Sequence, residues 1–422
     1  MKQEVVLHAY EGAAGIPNSL MQEDITPQML IDRAVALRPR IRAESDAAEQ
    51  RGCCSEALHH AFVRAGFYRI LQPRMFGGLE FSLPVFHKVM IEVSRGDPGI
   101  GWCLTLAASH ALIVASHWCE QAQRDFFLFT DFFAAPHRPA PMGSATPCGD
   151  GYVIEGLWDY CSGIPYATHF IGGAILLDGS SSPQEITFVL PRDRATVLDD
   201  WGSDRTIGMR ASGSNSVRVN GVFVPKYHTA PGMKSWGYSE LGSDGSPGTR
   251  LHKTPMFLGQ VTSLYQMSLV APVVGAARAA LDVFEQMITT NMSSCPLPKR
   301  ASQQTDCHRA FGTALVLADT AEAILVRGAE SYMEHCDRWQ SQGAPFTRED
   351  NLRIWATLQQ AGQLACQATE IVFTAAGSAA TKKGNPIQRY YRDCSMYRGH
   401  IASRSPLTTE IARAHLGLPD AG

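Results

Sequence analysis

His110 is the one imidazole in the run Gly101 to Ala115, GWCLTLAASHALIVA. An imidazole in such a helix is either a satisfied core histidine or a group facing a buried site, and the residues alone leave both open. Ser162 precedes Gly163 at the end of a β-like run, where its hydroxyl can bond a ligand or simply finish a strand. Trp158 and Tyr160 alternate with Leu157 and Asp159, which puts both on one strand face, toward a ligand or toward a domain interface. His117 and His169 read as structural or peripheral. Cys307-His308 and His335-Cys336 resemble ligand pairs, but adjacent helical residues diverge by about 100°, so neither pair addresses one ion and no metal site is expected. The eleven cysteines show no CxxC spacing and read as reduced, mostly buried thiols. Neither GxGxxG nor GxxxxGK[ST] occurs, so a nicotinamide fingerprint or a P-loop is unsupported and any redox cofactor must be held another way.

Three textures position these residues. Up to about 135 the pattern is helical: Thr26 and Pro27 suit a helix start, and Leu58, Phe62, Val63 and Phe67 recur at helical spacing. From about 136 short alternating runs (YVIEGLWDY, HFIGGAILL, EITFVLP, SVRVNGVFVP) replace that period, with Asn220-Gly221 marking a turn or bulge. A glycine-rich connection over 237–250 leads into long helical segments at about 260–291, 307–339 and 347–378, the last opened by a capping box from Thr347 to Asp350. The reading is an α+β chain with an N-terminal helical domain over 1–135, a central β-barrel domain over 136–245 and a C-terminal four-helix-bundle domain over 246–422.

Composition removes several classes of function. The net charge of −3 is spread over scattered lysines and arginines, so nucleic acid is an unexpected partner. The N-terminus lacks a signal-like apolar core, and no stretch approaches about 18 uninterrupted apolar residues. A soluble, cytoplasmic protein without a membrane partner is expected.

The segment Pro73-Arg74-Met75-Phe76-Gly77-Gly78-Leu79, with Gly377-Ser378 and Arg389-Tyr390-Tyr391-Arg392-Asp393 far downstream, resembles the motifs of the acyl-CoA dehydrogenase superfamily. Four places are similar to the two-component flavin-dependent aromatic hydroxylases of that superfamily (group D flavin monooxygenases, of the hydroxyphenylacetate hydroxylase oxygenase type). These are Gly101-Trp102-Cys103-Leu104 with His110, Gly156 to Gly163 (GLWDYCSG), Gly208 to Ser214 (GMRASGS), and Arg392-Asp393 with His400 seven residues beyond the aspartate. Where a dehydrogenase of the family commonly carries its catalytic glutamate, this chain has Ile401, preceded by His400, and isoleucine cannot accept a proton.

The resemblance implies the acyl-CoA dehydrogenase fold and a monooxygenase. It would hydroxylate a small aromatic of phenol or indole type through a flavin C4a-hydroperoxide, taking reduced flavin (FADH2 or FMNH2) from a separate NAD(P)H-flavin reductase and using O2. A homotetramer is the family expectation. His110, Ser162 and His400 are the implied catalytic residues: Ser162 as a partner of flavin N5, His110 toward a phenolic oxygen, an indole edge or the hydroperoxide, and His400 as a flavin-tuning group or substrate base. Trp158, Tyr160, Cys161, Ser162, Arg210, Ser212, Ser214, Arg300, Gly377, Ser378 and Arg389 are the implied cofactor-binding residues, with the 206–216 loop cradling a flavin phosphate or shaping the substrate mouth. Trp102, His110 and Ile401 are the implied substrate-binding residues. Two other readings stay open: an acyl-CoA dehydrogenase with a displaced base, and a non-catalytic, flavin-free interaction protein of the same fold.

Overall fold

The computed structural model describes residues 25–418, apart from 182–183, 231–232, 234–240, 242–243 and 291–300, and describes no side chain at 290 or 301–304. Among the described residues five α-helices come first: α1 (Pro27–Arg51), α2 (Glu56–Ala65), α3 (Leu83–Gly96), α4 (Pro98–His117) and α5 (Glu120–Phe127). Their starts are set by local chemistry. Thr26 accepts from the Met29 amide at α1, and Asp97 accepts from the Ile100 amide at α4, each ahead of a proline at the first helical position.

Six strands follow among the described residues: β1 (His137–Cys148), β2 (Gly151–Trp158), β3 (His169–Leu176), β4 (Gln184–Pro191), β5 (Thr196–Val197) and β6 (Val217–Pro225). They form one sheet in the order β4-β3-β1-β2-β6-β5, with β1 and β3 parallel and the other pairs antiparallel. The sequence reading expected a barrel, but β4 and β5 stand at opposite edges of an open sheet. β5 has only two residues, both spent on β6, so it offers too little backbone to close a ring. Asn220-Gly221 makes a bulge: Ile154 faces Val222 while Gly156 faces Val219, so β6 carries one extra residue there, with Gly221 at φ 65°.

The helical remainder comprises α6 (Pro247–His252), α7 (Val261–Thr290), α8 (Ala301–Gln342), α9 (Arg348–Ala375), α10 (Pro386–Gly399), α11 (Ile401–Arg404) and α12 (Leu407–His415). The expected capping box is present at α9, where Thr347 and Asp350 bond reciprocally. Helix α7 packs against α3, α4, α8, α9 and α10, which makes it the axis of the helical core. By composition α4 and α7 are apolar enough to cross a bilayer, but all of the apolar window of α4 and most of that of α7 is buried within the fold. The β sheet keeps a second core around Trp158, Phe170 and Phe188.

Candidate active site

One cavity of about 460 Å³ opens where the two cores meet, a size typical of small-ligand sites. Helix α4 supplies Trp102, Leu106 and His110, four residues apart and therefore on one face. The start of β1 supplies His137 and Arg138; the turn after β2 supplies Tyr160 and Ser162; the following loop supplies Trp201, Met209, Ser212 and Ser214. Tyr265 and Leu269 come from α7, Tyr397 from α10, and His400 and Ile401 from the start of α11.

Gly163 explains how the Ser162 turn reaches α4. It adopts φ 91°, and a Cβ there would lie 2.7 Å from the Cys103 carbonyl oxygen, so only glycine lets the turn touch the helix. Its amide donates to the carbonyls of Ser212 and Gly213, which ties the turn to the loop. The result is a chain of hydroxyls. The Trp102 indole N–H donates to Ser162 Oγ at 3.1 Å, Ser162 and Ser214 share a bond at 2.7 Å, and Ser214 and Ser212 share one at 2.6 Å. Three hydroxyl protons serve two internal bonds, so one donor is left over. When Ser212 donates to Ser214 and Ser214 to Ser162, that spare proton sits on Ser162, which lines the cavity.

The imidazoles present defined groups. His110 Nδ1 lies 2.7 Å from the Ala135 carbonyl, which can only accept, so Nδ1 carries the proton. Burial pushes the His110 pKa down to about 4, the ring is neutral at pH 7, and the buried Nε2 is an acceptor with no partner. His400 is the reverse case. Its Nδ1 accepts the Ala402 amide at 3.1 Å, capping α11, so its other nitrogen carries the proton. Burial, with the nearby Arg138 charge, lowers this ring to about 4 as well. At neutral pH His400 is thus a hydrogen-bond donor, and acting as a base would require it to exchange tautomer and give up its capping bond. Arg138 pairs with Asp159 at 3.0 Å.

Of the residues singled out in the sequence, Trp102, His110, Tyr160, Ser162, Ser212, Ser214, His400 and Ile401 meet at this cavity. Ile401 is 67% exposed, so it stands at the rim rather than as buried lining. Trp158 does not reach the cavity: it is fully buried in the sheet core, donates to the Gly173 carbonyl at 2.8 Å and packs on Phe170 and Phe188. Cys161 is buried beside it, its thiol directed at the Trp158 carbonyl. Arg210 bonds the Thr206 carbonyl at 2.8 Å, outside the cavity lining. Arg389 is enclosed by Asp46, Glu49 and Asp97, so its charge is already matched by carboxylates within the fold. Gly377 and Ser378 lie exposed beyond the end of α9, away from the cavity. Arg300 lies outside the described residues.

Sequence reasoning missed His137, Arg138, Trp201 and Tyr265. His137 sits at the first residue of β1 with no periodic signal, and Tyr265 is one aromatic in an apolar helix.

Known proteins of similar sequence and structure give this cavity its context. Residues 267–405 match the model of the acyl-CoA dehydrogenase C-terminal domain. The chain is 28% identical over 397 residues to a pigment production hydroxylase of Rhodococcus sp., covering 94% of this chain and 98% of that protein. It is 24% identical over 375 residues to the flavin-dependent monooxygenase oxygenase subunit HsaA of Rhodococcus jostii, covering 88% and 94%. Among solved structures, 3-HSA hydroxylase from Rhodococcus sp. superposes with a TM-score of 0.83 at 23% identity, covering 93% of this chain and 98% of that one. XiaF from Streptomyces sp., solved with FADH2 and glycerol, gives 0.81 at 21% identity, covering 93% and 96%. The chain has the acyl-CoA dehydrogenase fold. Among proteins of that fold, the chain stands with the flavin-dependent monooxygenases, oxidoreductases that work with reduced flavin and oxygen.

Proposed function

We propose that this chain is the oxygenase component of a two-component monooxygenase that hydroxylates a small aromatic of phenol or indole type, with reduced flavin delivered by a separate NAD(P)H-flavin reductase. The observation that carries it is one cavity holding both a chain of three serine hydroxyls that leaves one proton over for a ligand and an unpartnered acceptor at His110 Nε2. Buried polar groups left unpaired cost stability, and those that face a cavity can be satisfied by a ligand. The residues present fit a flavin ring: Ser162 offers a donor, Tyr160 and Trp201 stand edge to face at 5.8 Å beside the cavity, and Met209 and Trp102 add apolar wall. Bound reduced flavin would supply activated oxygen there.

The chain's own residues would do the rest. Ser162 holds its hydroxyl toward the cofactor, with the Trp102 indole N–H and the Ser214 hydroxyl keeping its oxygen supplied with hydrogen bonds. His110 accepts the substrate's O–H or N–H and orients the ring. His400 donates from the opposite tautomer. Leu106, Leu269 and Met396 exclude water.

Two observations weigh against the alternatives. No carboxylate is among the described residues lining the cavity, so acyl-CoA desaturation lacks its usual base. A non-catalytic role leaves the unpartnered His110 nitrogen without a purpose. We further propose a homotetramer, in which the neighbouring copies' surfaces would complete the cofactor site.

The test supplies the protein with a flavin reductase, NADH, FMN or FAD, and a panel of phenols and indoles under 18O2. The proposal expects a hydroxylated product carrying one 18O atom. Flavin turnover that yields only hydrogen peroxide with every aromatic in the panel would overturn it.

A further inference from the structure

We propose that His137 is a second substrate-recognising residue, forming with His110 a clamp for one aromatic hydroxyl, so that the cavity selects phenols over indoles and thioethers. This rests on the monooxygenase reading above and narrows its substrate.

His137 opens β1, is 7% exposed and lines the cavity, yet neither ring nitrogen has a partner. Its ring stands edge to face with His110 at 5.7 Å and tilted against Tyr265 at 5.3 Å. Tyr265 also packs edge to face on His110 at 5.4 Å, so the three rings brace one another in fixed orientations. Burial and the neighbouring rings of His110 and His117 hold His137 in its neutral form. A neutral imidazole carries one N–H and one lone pair. His110 has spent its N–H on Ala135 and offers only its Nε2 lone pair.

Between them the two rings, with centroids 5.7 Å apart on one cavity wall, present an acceptor at His110 and a donor at His137. A ligand atom that satisfies both must donate and accept at once. A phenol oxygen does so, giving its proton to His110 Nε2 and taking the His137 N–H on a lone pair. An indole nitrogen can only donate, because its lone pair belongs to the ring. A thioether or methyl ether can only accept. A site built around a hydroxyl rejects an analogue lacking half of that pairing far more strongly than an apolar slot rejects a missing methylene.

The experiment measures binding of 4-methylphenol, 4-methylanisole and indole by calorimetry to the wild type, His137→Phe and His137→Gln. A turnover assay with reduced flavin accompanies each. The wild type should bind 4-methylphenol about 10- to 100-fold more tightly than the other two, the factor expected for a buried pairing left unmade. His137→Phe should weaken 4-methylphenol about tenfold or more and leave indole unchanged, while His137→Gln, whose amide can donate, should recover part of the loss. Equal loss for all three ligands, or no loss for the phenol, overturns the clamp. Recovery in His137→Gln separates lost donation from misfolding. Hydroxylation by the wild type with no dependence on His137 leaves the monooxygenase reading standing and removes the clamp. His137-dependent phenol binding without any hydroxylation does the opposite.

Discussion

Replacing Asp393 by asparagine should make the protein less sensitive to rising pH. Asp393 is 1% exposed and accepts the Met209 amide at 2.6 Å, fixing the loop that lines the cavity. Gly208 beside it lies flush on α10, where a Cβ would come within 2.3 Å of the Arg392 carbonyl oxygen. Burial, and then the carboxylates of Asp97 and Glu49, push the Asp393 pKa up to about 8, with Arg392 pulling weakly the other way. The folded state therefore holds the proton at neutral pH, whereas the unfolded chain releases it near the ordinary carboxylate value. A raised pKa in the folded state means that the contribution is complete below the unfolded value and is lost as pH climbs toward 8. One such proton changes stability by about 1.4 kcal/mol per pH unit inside that window. Asparagine keeps a carbonyl for Met209, offers an N–H2 toward the neighbouring carboxylates and does not ionise. Between about pH 6 and about pH 8 the wild type should therefore lose roughly 2–3 kcal/mol relative to Asp393→Asn. Urea unfolding of both proteins at the two pH values measures this. A stability gap that stays constant with pH would refute the reasoning, because it would mean that Asp393 is already ionised in the fold.

Other outcomes follow from the same physics. His87 on α3 is fully buried, with both ring nitrogens unpartnered and its pKa lowered to about 3 by burial. His87→Leu should stabilise the protein by about 1–3 kcal/mol in urea unfolding; a loss of stability would show that an internal partner had been missed. His87, His110, His117 and His169 are all lowered to about 3 or 4, chiefly by burial, so the unfolded chain takes up protons that the fold refuses. Stability is then present above about pH 6.5 and falls below it, by about 2 kcal/mol per ring at pH 5. Circular dichroism should accordingly show acid unfolding between about pH 6 and 4, and a protein still fully folded at the lower limit would contradict this. Gly143→Ala should cost about 1–3 kcal/mol by overpacking, since its Cβ would lie 2.3 Å from the Trp158 ring; an unchanged melting temperature would count against the packing described.

Much of this architecture could be read locally. Thr26-Pro27 and the Thr347 capping box mark helix starts because the orphan amides of a first turn need acceptors close in sequence. Gly156 and Trp158 form a readable pair for a physical reason: Gly143 faces Gly156 across β1 and β2, and the missing side chains make room for the indole. That fit is also why Trp158 serves the sheet core and not the cavity. Alternation put Tyr160 on the same face as Trp158, but β2 ends at Trp158 and Tyr160 turns to φ 54°, so the two-residue period no longer holds and only Tyr160 reaches the site. Arg389 could not be read from its neighbours, since Asp46 and Glu49 reach it from α1, more than three hundred residues earlier. His137 was invisible for a similar reason: its meaning comes from His110 and Tyr265, which only the packing of α4 and α7 against β1 brings together.

The most direct test of the central claim is the reaction of reduced flavin with oxygen on the protein, followed by stopped-flow absorbance. With the wild type, an oxygenated-flavin absorbance should outlive that of free flavin and give way to hydroxylated product when a phenol is present. In Ser162→Ala, which loses the spare donor while Ser212 and Ser214 remain, the transient should shorten and hydrogen peroxide should rise at the expense of product. Immediate return to oxidised flavin with the wild type, at the rate seen without protein, would contradict the account.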